Sequence, residues 1–368
     1  MQMRRFERIQ SIANGSRRFA RTCFWPSLIA ALASLLFVGR AAPRPESEKA
    51  LQIYFVDVEG GQATLFVTPQ GKSLLIDTGW PDSNGRDADR IMAATKLAGV
   101  KQLDFVLLTH YHMDHAGGIT ELATQIPIRT VIDHGQNREP QGAATEKVWE
   151  DYRRLLDQEK FKRMIAKPGE TLPLEGLEAQ VISSDGALIE KRLSEAGADN
   201  ARCQSSKQYP PDHTENARSL GVLFTFGKLR FLDLGDLTSD KELTLVCPEN
   251  KLGEIDIYIV SHHGTRSSNS PAFLDSIAPR VAVMNNGAAK GGAPSSWDAV
   301  KSSPRLEDFW QLHYSDEGGQ AHNAADPFIA NLAGPDTGNY LKLTAWPDGN
   351  FEVFNSRTKQ TKHYAPAH

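Results

Sequence analysis

With 368 residues, 40% of them hydrophobic and 23% charged, the chain has the composition of a folded protein holding one large core or two ordinary ones, and disorder is excluded as its default state. The net charge of −4 is unevenly placed: residues 1–40 carry seven Arg and one Glu, a net +6, which leaves −10 for the remainder. An acidic body gives no general electrostatic attraction for nucleic acid.

The N-terminal stretch "MQMRRFERIQSIANGSRRFARTCF" is basic, and it runs into the apolar "WPSLIAALASLLFVG" and the small residues Ala41 and Ala42. This is the layout of a secretory signal, and "SRRFA" at Ser16 to Ala20 is compatible with the twin-arginine route. Counted from Thr22, the segment is also long enough to span a bilayer if it is not cleaved. Residues 1–42 are therefore expected to be a signal peptide or N-terminal anchor and 43–50 a linker. The protein is expected to be exported, periplasmic or extracellular, and to meet the membrane only through such an anchor. Cys23 falls inside the signal; Cys203 and Cys247 remain, and their spacing decides neither pairing nor its absence.

The body alternates strands and helices. "LQIYFVDV", "QATLFVTP" and "KSLLIDTG" are short apolar runs split by glycine turns and predict an antiparallel meander over 51–79. "DSNGRDADRIMAATKLAGV" has helix-spaced apolar residues and a stop at Gly99, after which "LDFVLLTH" reads as a buried strand. Strand "IRTVIDHG", a helix from about Thr145 to Ile165 and strand "EAQVISSDG" follow. From Ser219 the strands are "SLGVLFTF", "LRFLDLGD", "IDIYIVSHHG" and "RVAVMNNG", with helical stretches between the last three. "YLKLTAWPDGNFEVFNS" alternates about an Asp-Gly turn and predicts a hairpin. Two β-rich halves around helical connections suggest two sheets covered by helices.

One loop concentrates chemistry. "LLTHYHMDHAGG" follows the C-terminal end of a strand, where α/β architectures place their ligands, and it sets His110, His112, Asp114 and His115 within six positions. Imidazole nitrogen and carboxylate oxygen suit zinc and similar divalent ions, so H-x-H-x-D-H offers ligands for two adjacent metals. There is no G-x-S-x-G elbow, P-loop or dinucleotide fingerprint where a strand meets a helix.

On this loop, on "LLIDTG" with Asp77, on "RFLDLGDL" with Asp236 and on "IYIVSHHG" with His263, the chain resembles the metallo-β-lactamase superfamily over most of residues 51–290. "FVDV", "ENARSLGVLFTFGKLRFLDLGD" and "SHHGTRSS", in that order, resemble the extracytoplasmic domain of ComEC-like competence proteins. The resemblance implies an α/β fold, a four-layer αββα sandwich of two mixed sheets flanked by helices, over residues 51–290; outside it, residues 291–368 are expected to form an extension packed on the same domain and ending in the hairpin read above. The resemblance also implies two divalent ions, most readily zinc with manganese as the alternative. Their ligands would be His110, His112, Asp114, His115, a bridging Asp236 and His263, with Asp77 holding the loop from behind.

The third histidine of the first metal position stays open between His134, at a strand end and so the preferred choice, and His213 in "PDHTENARS". His262 either donates a hydrogen bond to substrate or a ligand, or turns into the sheet interface. The chain departs from its relatives at "VEGGQATL", where Glu59 is added. Glu59 either projects its charge toward substrate or is a solvated turn residue, and Asn216 is placed with it on the substrate side. A charge at Glu59 would make long nucleic acid a poorer candidate than a small molecule or a head group. "KGGAPSSW" and "LEDFWQLHYS" either wall the pocket or pack Trp297, Trp310 and Tyr314 onto the core; His313 and His322 carry no ligand spacing.

The expected activity is metal-dependent hydrolysis, a water activated between two cations attacking a phosphodiester, with Asp114 and His262 assisting. A lactone or β-lactam acyl hydrolase is the alternative within enzymes. A metal-dependent ligand-binding protein without turnover is the alternative outside them.

Overall fold

The computed structural model describes residues 50–81, 83–194 and 196–367; the expected signal or anchor lies outside them. The chain opens with β1 (Leu51–Phe55), β2 (Thr64–Val67), β3 (Ser73–Ile76), α1 (Arg86–Leu97) and β4 (Leu103–Leu107). The one-turn α2 (Met113–Ala116), α3 (Ile119–Gln125), β5 (Ile128–Asp133), α4 (Ala143–Asp157) and β6 (Lys162–Ile165) follow. Next come β7 (Glu178–Ser184), β8 (Ala187–Leu188), β9 (Gly221–Phe226), β10 (Leu229–Asp233), α5 (Ser239–Val246), β11 (Ile257–Ile259), α6 (Pro271–Ile277), β12 (Val281–Met284) and α7 (Pro294–Lys301). The last strands are β13 (Asp308–His313), β14 (Ile329–Asn331), β15 (Leu341–Ala345), β16 (Phe351–Asn355) and β17 (Gln360–Tyr364).

Among the described residues these strands make two mixed sheets, one in the order β17-β16-β15-β1-β2-β3-β4-β5-β6 and the other β14-β13-β12-β11-β10-β9-β7-β8. The sheets face each other through an apolar layer in which Phe66 of the first lies 4.7 Å from Phe224 and 5.3 Å from Phe231 of the second. α1, α3 and α4 cover the outer face of the first sheet with Ile91, Leu122, Trp149 and Tyr152, and α5, α6 and α7 cover the second with Leu245, Phe273 and Val300. Four layers result because strands buried on both faces are apolar throughout while the helices bury one stripe each.

The meander over 51–79 is present as β1, β2 and β3. The helix expected from Thr145 to Ile165 stops at Asp157, because Glu159 adopts a left-handed conformation (φ 52°) and Lys162–Ile165 instead pairs with β5 as a parallel edge strand. Residues 291–368 supply strands to both sheets: β13 extends the second sheet beside β12, and β15 pairs with β1 in the first. The hairpin over 340–356 forms as β15 and β16, and β17 adds a further strand to it. Trp297 stacks on Phe309 at 4.6 Å and Trp310 Nε1 donates to Tyr364 Oη at 2.9 Å, so both are core side chains and not pocket walls.

Candidate metal centre

Three strand ends converge on one point. β4 leads into His110 and His112, with Asp114 and His115 on the turn of α2 directly after them; β10 leads through Leu234 and Gly235 into Asp236; β11 leads into His262 and His263. β4 belongs to the first sheet and β10 and β11 to the second, so the cluster sits where the C-terminal ends of both sheets meet. His262 and His263 both have φ of 54°, and Gly264 follows at 74°. Two consecutive left-handed non-glycine residues are strained by roughly 1–3 kcal/mol each, and the conformation brings two neighbouring side chains to the same carboxylate.

Asp236 divides the cluster. Its Oδ1 lies 3.2 Å from His115 Nε2 and 3.4 Å from His263 Nε2, and Asp114 Oδ2 lies 3.2 and 3.1 Å from the same two nitrogens. These four ligand atoms all fall within 4.8 Å of one another, and all four side chains are buried. On the other side Asp236 Oδ2 lies 3.9 Å from His110 Nε2 and 3.5 Å from His262 Nε2, while His110 Nε2 and His112 Nδ1 are 3.1 Å apart.

The outer ring nitrogens fix the tautomers. Asp77 Oδ2 accepts from His115 Nδ1 at 2.7 Å, and the carbonyl of Asn285 accepts from His263 Nδ1 at 3.2 Å. Thr109 Oγ1 donates to Asp77 Oδ2 at 2.7 Å, so toward His110 Nδ1, 3.0 Å away, it can only accept. Glu139 Oε2 accepts from His112 Nε2 at 3.2 Å. Each of these four rings therefore turns a lone pair inward. His262 does the same: Ser268 Oγ donates to the Leu237 carbonyl and so accepts from His262 Nδ1, and Asn216 Nδ2 faces His262 Nε2 at 3.4 Å as a donor. Facing lone pairs at 3.1 Å, with the buried Asp236 Oδ1 accepting no hydrogen bond among the described residues, repel one another unless a proton or a metal cation lies between them. The donor set fits divalent cations on both sides of Asp236.

The electrostatics agree. Burial works to raise Asp236 and Asp114, but His115 and the other imidazoles, with Lys290 at Asp114, hold both well below the usual carboxylate range. Burial opposes a charge on His115, and the carboxylates of Asp236, Asp114 and Asp77 overcome it. The field that favours a proton there would equally favour a metal cation. Burial, with His115 and His112 beside it, holds His110 neutral.

Two expected residues stand elsewhere. His134 joins neither side of the cluster: Glu215 Oε2 accepts from its Nε2 at 2.9 Å, and Glu215 also accepts from the backbone N–H of Tyr111 and Arg138. The strand end does orient His134 reproducibly, but onto a buried carboxylate that clamps the metal loop from behind. His213 is exposed on its loop. Asn216 reaches His262 as described. Glu59 does not project freely: its Oε1 lies 3.3 Å from His313 Nε2, which is 2.9 Å from Asp57 Oδ1, and Arg90 closes the group on Asp57 and Asp336. His313, set aside in the sequence for lack of ligand spacing, is thus the partner of Glu59. Reading the sequence also missed Thr109, Glu139 and Lys290. Thr109 adjoins the motif and could have been found there; Glu139 and Lys290 arrive from loops with no spacing signal.

The model of the metallo-β-lactamase superfamily matches residues 56–185. The chain is 26% identical over 242 residues to "Recombination protein 2" of Haemophilus influenzae, covering 66% of this chain and 25% of that protein. It is 24% identical over 251 residues to "ComE operon protein 3" of Bacillus subtilis, covering 64% and 28%. It therefore spans only about a quarter of the length of these relatives. A "UPF0173 metal-dependent hydrolase" of Herpetosiphon aurantiacus is 34% identical over 76 residues, 20% of this chain and 29% of that protein. Among solved structures, the metallo-β-lactamase fold protein YhfI of Bacillus subtilis overlays 79% of this chain and 98% of its own, with a TM-score of 0.43 and 12% identity. Residues 56–185 thus match the metallo-β-lactamase superfamily, and the chain is similar to the ComEC-like competence proteins.

Proposed function

We propose that the chain is a hydrolase of phosphodiesters that works with two divalent cations, zinc or manganese, held on either side of Asp236. The observation that carries this is the split of the Asp236 carboxylate, one oxygen toward His115 and His263 and the other toward His110 and His262. His115, His263, Asp114 and Asp236 would hold one cation; His110, His112, His262 and Asp236 would hold the other, with His262 taking the place considered for His134. Bound there, the pair would supply a water activated near neutral pH and positive charge for the oxyanion that develops. The chain's own residues do the rest. Asp77 holds the tautomer of His115 directly and that of His110 through Thr109. Asp114, which its neighbours keep ionised against burial, would orient the attacking water through its carboxylate.

A phosphodiester is favoured over a lactone or β-lactam because a pair of cations suits in-line displacement at phosphorus. The substrate is a small molecule or a head group; with Glu59 held by His313, the repulsion that would count against a longer polyanion is reduced. Export through residues 1–42 is part of the same reading, and a disulfide between Cys203 and Cys247 suits an oxidising compartment. Turnover of bis(p-nitrophenyl) phosphate, a lactone and nitrocefin, with and without added zinc or manganese, tests it. Metal-dependent hydrolysis of the diester is expected; hydrolysis of the lactone or nitrocefin alone would replace it with acyl transfer, and no turnover with metal bound would leave a binding protein.

A further inference from the structure

The segment after β12 brings a cation to the rim of the centre. Lys290 Nζ pairs with Asp114 Oδ2 and sits 4.9 Å over the ring of Trp80, with its side chain one-third exposed. This is a built position and not a stray surface lysine. Gly287 N–H donates to the Lys290 carbonyl at 2.9 Å and closes a turn; Gly292 N–H and Ala293 N–H donate to the carbonyls of His263 and Gly264, both at 2.9 Å. The turn "EGG" is its seat on the other side: a Cβ on Gly60 would lie 2.8 Å from Lys290 Cβ, and one on Gly291 would lie 2.1 Å from the His263 carbonyl. Lys290 is thus clamped between the backbone of a candidate ligand, His263, and the turn that bears Glu59.

Charge decides what such a lysine is for. Two divalent cations against Asp114 and Asp236 already leave the centre positive, so a further ammonium on Asp114 is not needed to neutralise it. Once Asp114 gives its charge to a cation, the ammonium lacks a counter-charge and faces the incoming substrate. We infer that Lys290 makes this centre select a negatively charged ester, by pairing with a non-bridging phosphoryl oxygen that a lactone or other neutral ester does not offer. The inference rests on the proposed phosphodiester reading and deepens it. A charge-assisted hydrogen bond of this kind is worth roughly ten- to a hundred-fold in affinity.

The test uses the metal-loaded protein as wild type, K290Q, K290R and G60A, with metal content measured for each. Binding of inorganic phosphate by calorimetry is the first readout, and kcat/KM for bis(p-nitrophenyl) phosphate relative to neutral p-nitrophenyl acetate is the second. K290Q is expected to keep its metal, bind phosphate roughly ten- to a hundred-fold more weakly and lose charged-over-neutral selectivity by a similar factor. K290R should retain most of both, and G60A, which displaces Lys290 without removing its charge, should follow K290Q. Equal phosphate affinity in wild type and K290Q, no phosphate binding in either, or loss of metal from K290Q would each overturn the inference. A wild type that binds phosphate through Lys290 but spares the diester would instead overturn the phosphodiester reading alone.

Discussion

His115 Nε2 and His263 Nε2 face each other at 3.1 Å, and the opposite nitrogen of each ring already donates, to Asp77 and to the Asn285 carbonyl. Metal-free protein must therefore either protonate one ring or tolerate the repulsion, and cation binding removes both burdens. Stripping metal with a chelator is expected to lower the melting temperature by several degrees, and added zinc or manganese should restore it. At a thousand-fold excess over Kd the stabilisation is about 4 kcal/mol. Identical thermal transitions with and without metal would count against a centre here.

Asp236 links the two sides, so its loss should be worse than the loss of one ligand. Asp236→Ala is expected to bind one metal or fewer per chain by elemental analysis and to lose activity on the order of 10²–10³-fold or more. Its fold should persist, because the main chain around it is held by Ser219 Oγ and by the β10–β11 pairing. Two metals retained in this variant would remove the bridge from the proposal.

His262 and His134 give opposite expectations. His262→Ala should lower metal content on the His110 side while leaving stability nearly unchanged when both proteins are compared metal-free. His134→Ala leaves the buried Glu215 short of a partner and should cost about 1–3 kcal/mol without changing metal stoichiometry. Denaturant melts and metal analysis of the two variants separate these outcomes, and metal loss from His134→Ala would return that residue to the cluster.

What was legible in the sequence was what one short segment carries by itself. His110 to His115, Asp77, Asp236 and His263 each follow an apolar run, so strand ends position them and period and spacing reveal them. His134 and Glu59 were misplaced because their partners, Glu215 and His313, come from distant elements that only the folded chain brings near. The same reason hid Lys290, which reaches Asp114 from 176 residues away through a glycine-rich turn. At the level of the fold, the helix over 145–165 failed at Glu159: charged residues suited to a helix surface also suit a half-exposed edge strand, and a single left-handed residue decided between them.

Cys203 and Cys247 are joined, closing a loop across 44 residues that ties the segment before β9 to the end of α5. On chain-entropy grounds a loop of that length is worth about 4 kcal/mol, an upper figure. Reduction, or Cys203→Ser, is expected to lower thermal stability and to speed proteolysis within 190–214. It should leave metal content unaltered, since neither cysteine touches the cluster. Unchanged melting after verified reduction would show that the segment holds without the bond.

Glu242 gives the fold a pH dependence of known sign. Its carboxylate is fully buried on α5, where it accepts the backbone N–H of Asn269 at 2.9 Å and of Ser270 at 3.0 Å. Burial pushes its pKa up to about 7, and those two N–H groups offset it only in part. The folded protein thus keeps a proton, between about pH 4.5 and 7, that the unfolded chain has already released. The native state binds more protons in that window, so stability is fully present below it and falls as pH rises through it, by up to about 1.4 kcal/mol per pH unit for one proton. Glu242→Gln keeps an acceptor for one N–H and turns an amide toward the other, a constant penalty of about 1–3 kcal/mol. That offset does not titrate, so the variant should be less stable at every pH while its stability falls less steeply between pH 5 and 7. Urea melts of metal-free wild type and variant across that range measure the difference, and parallel curves would mean that Glu242 is ionised throughout.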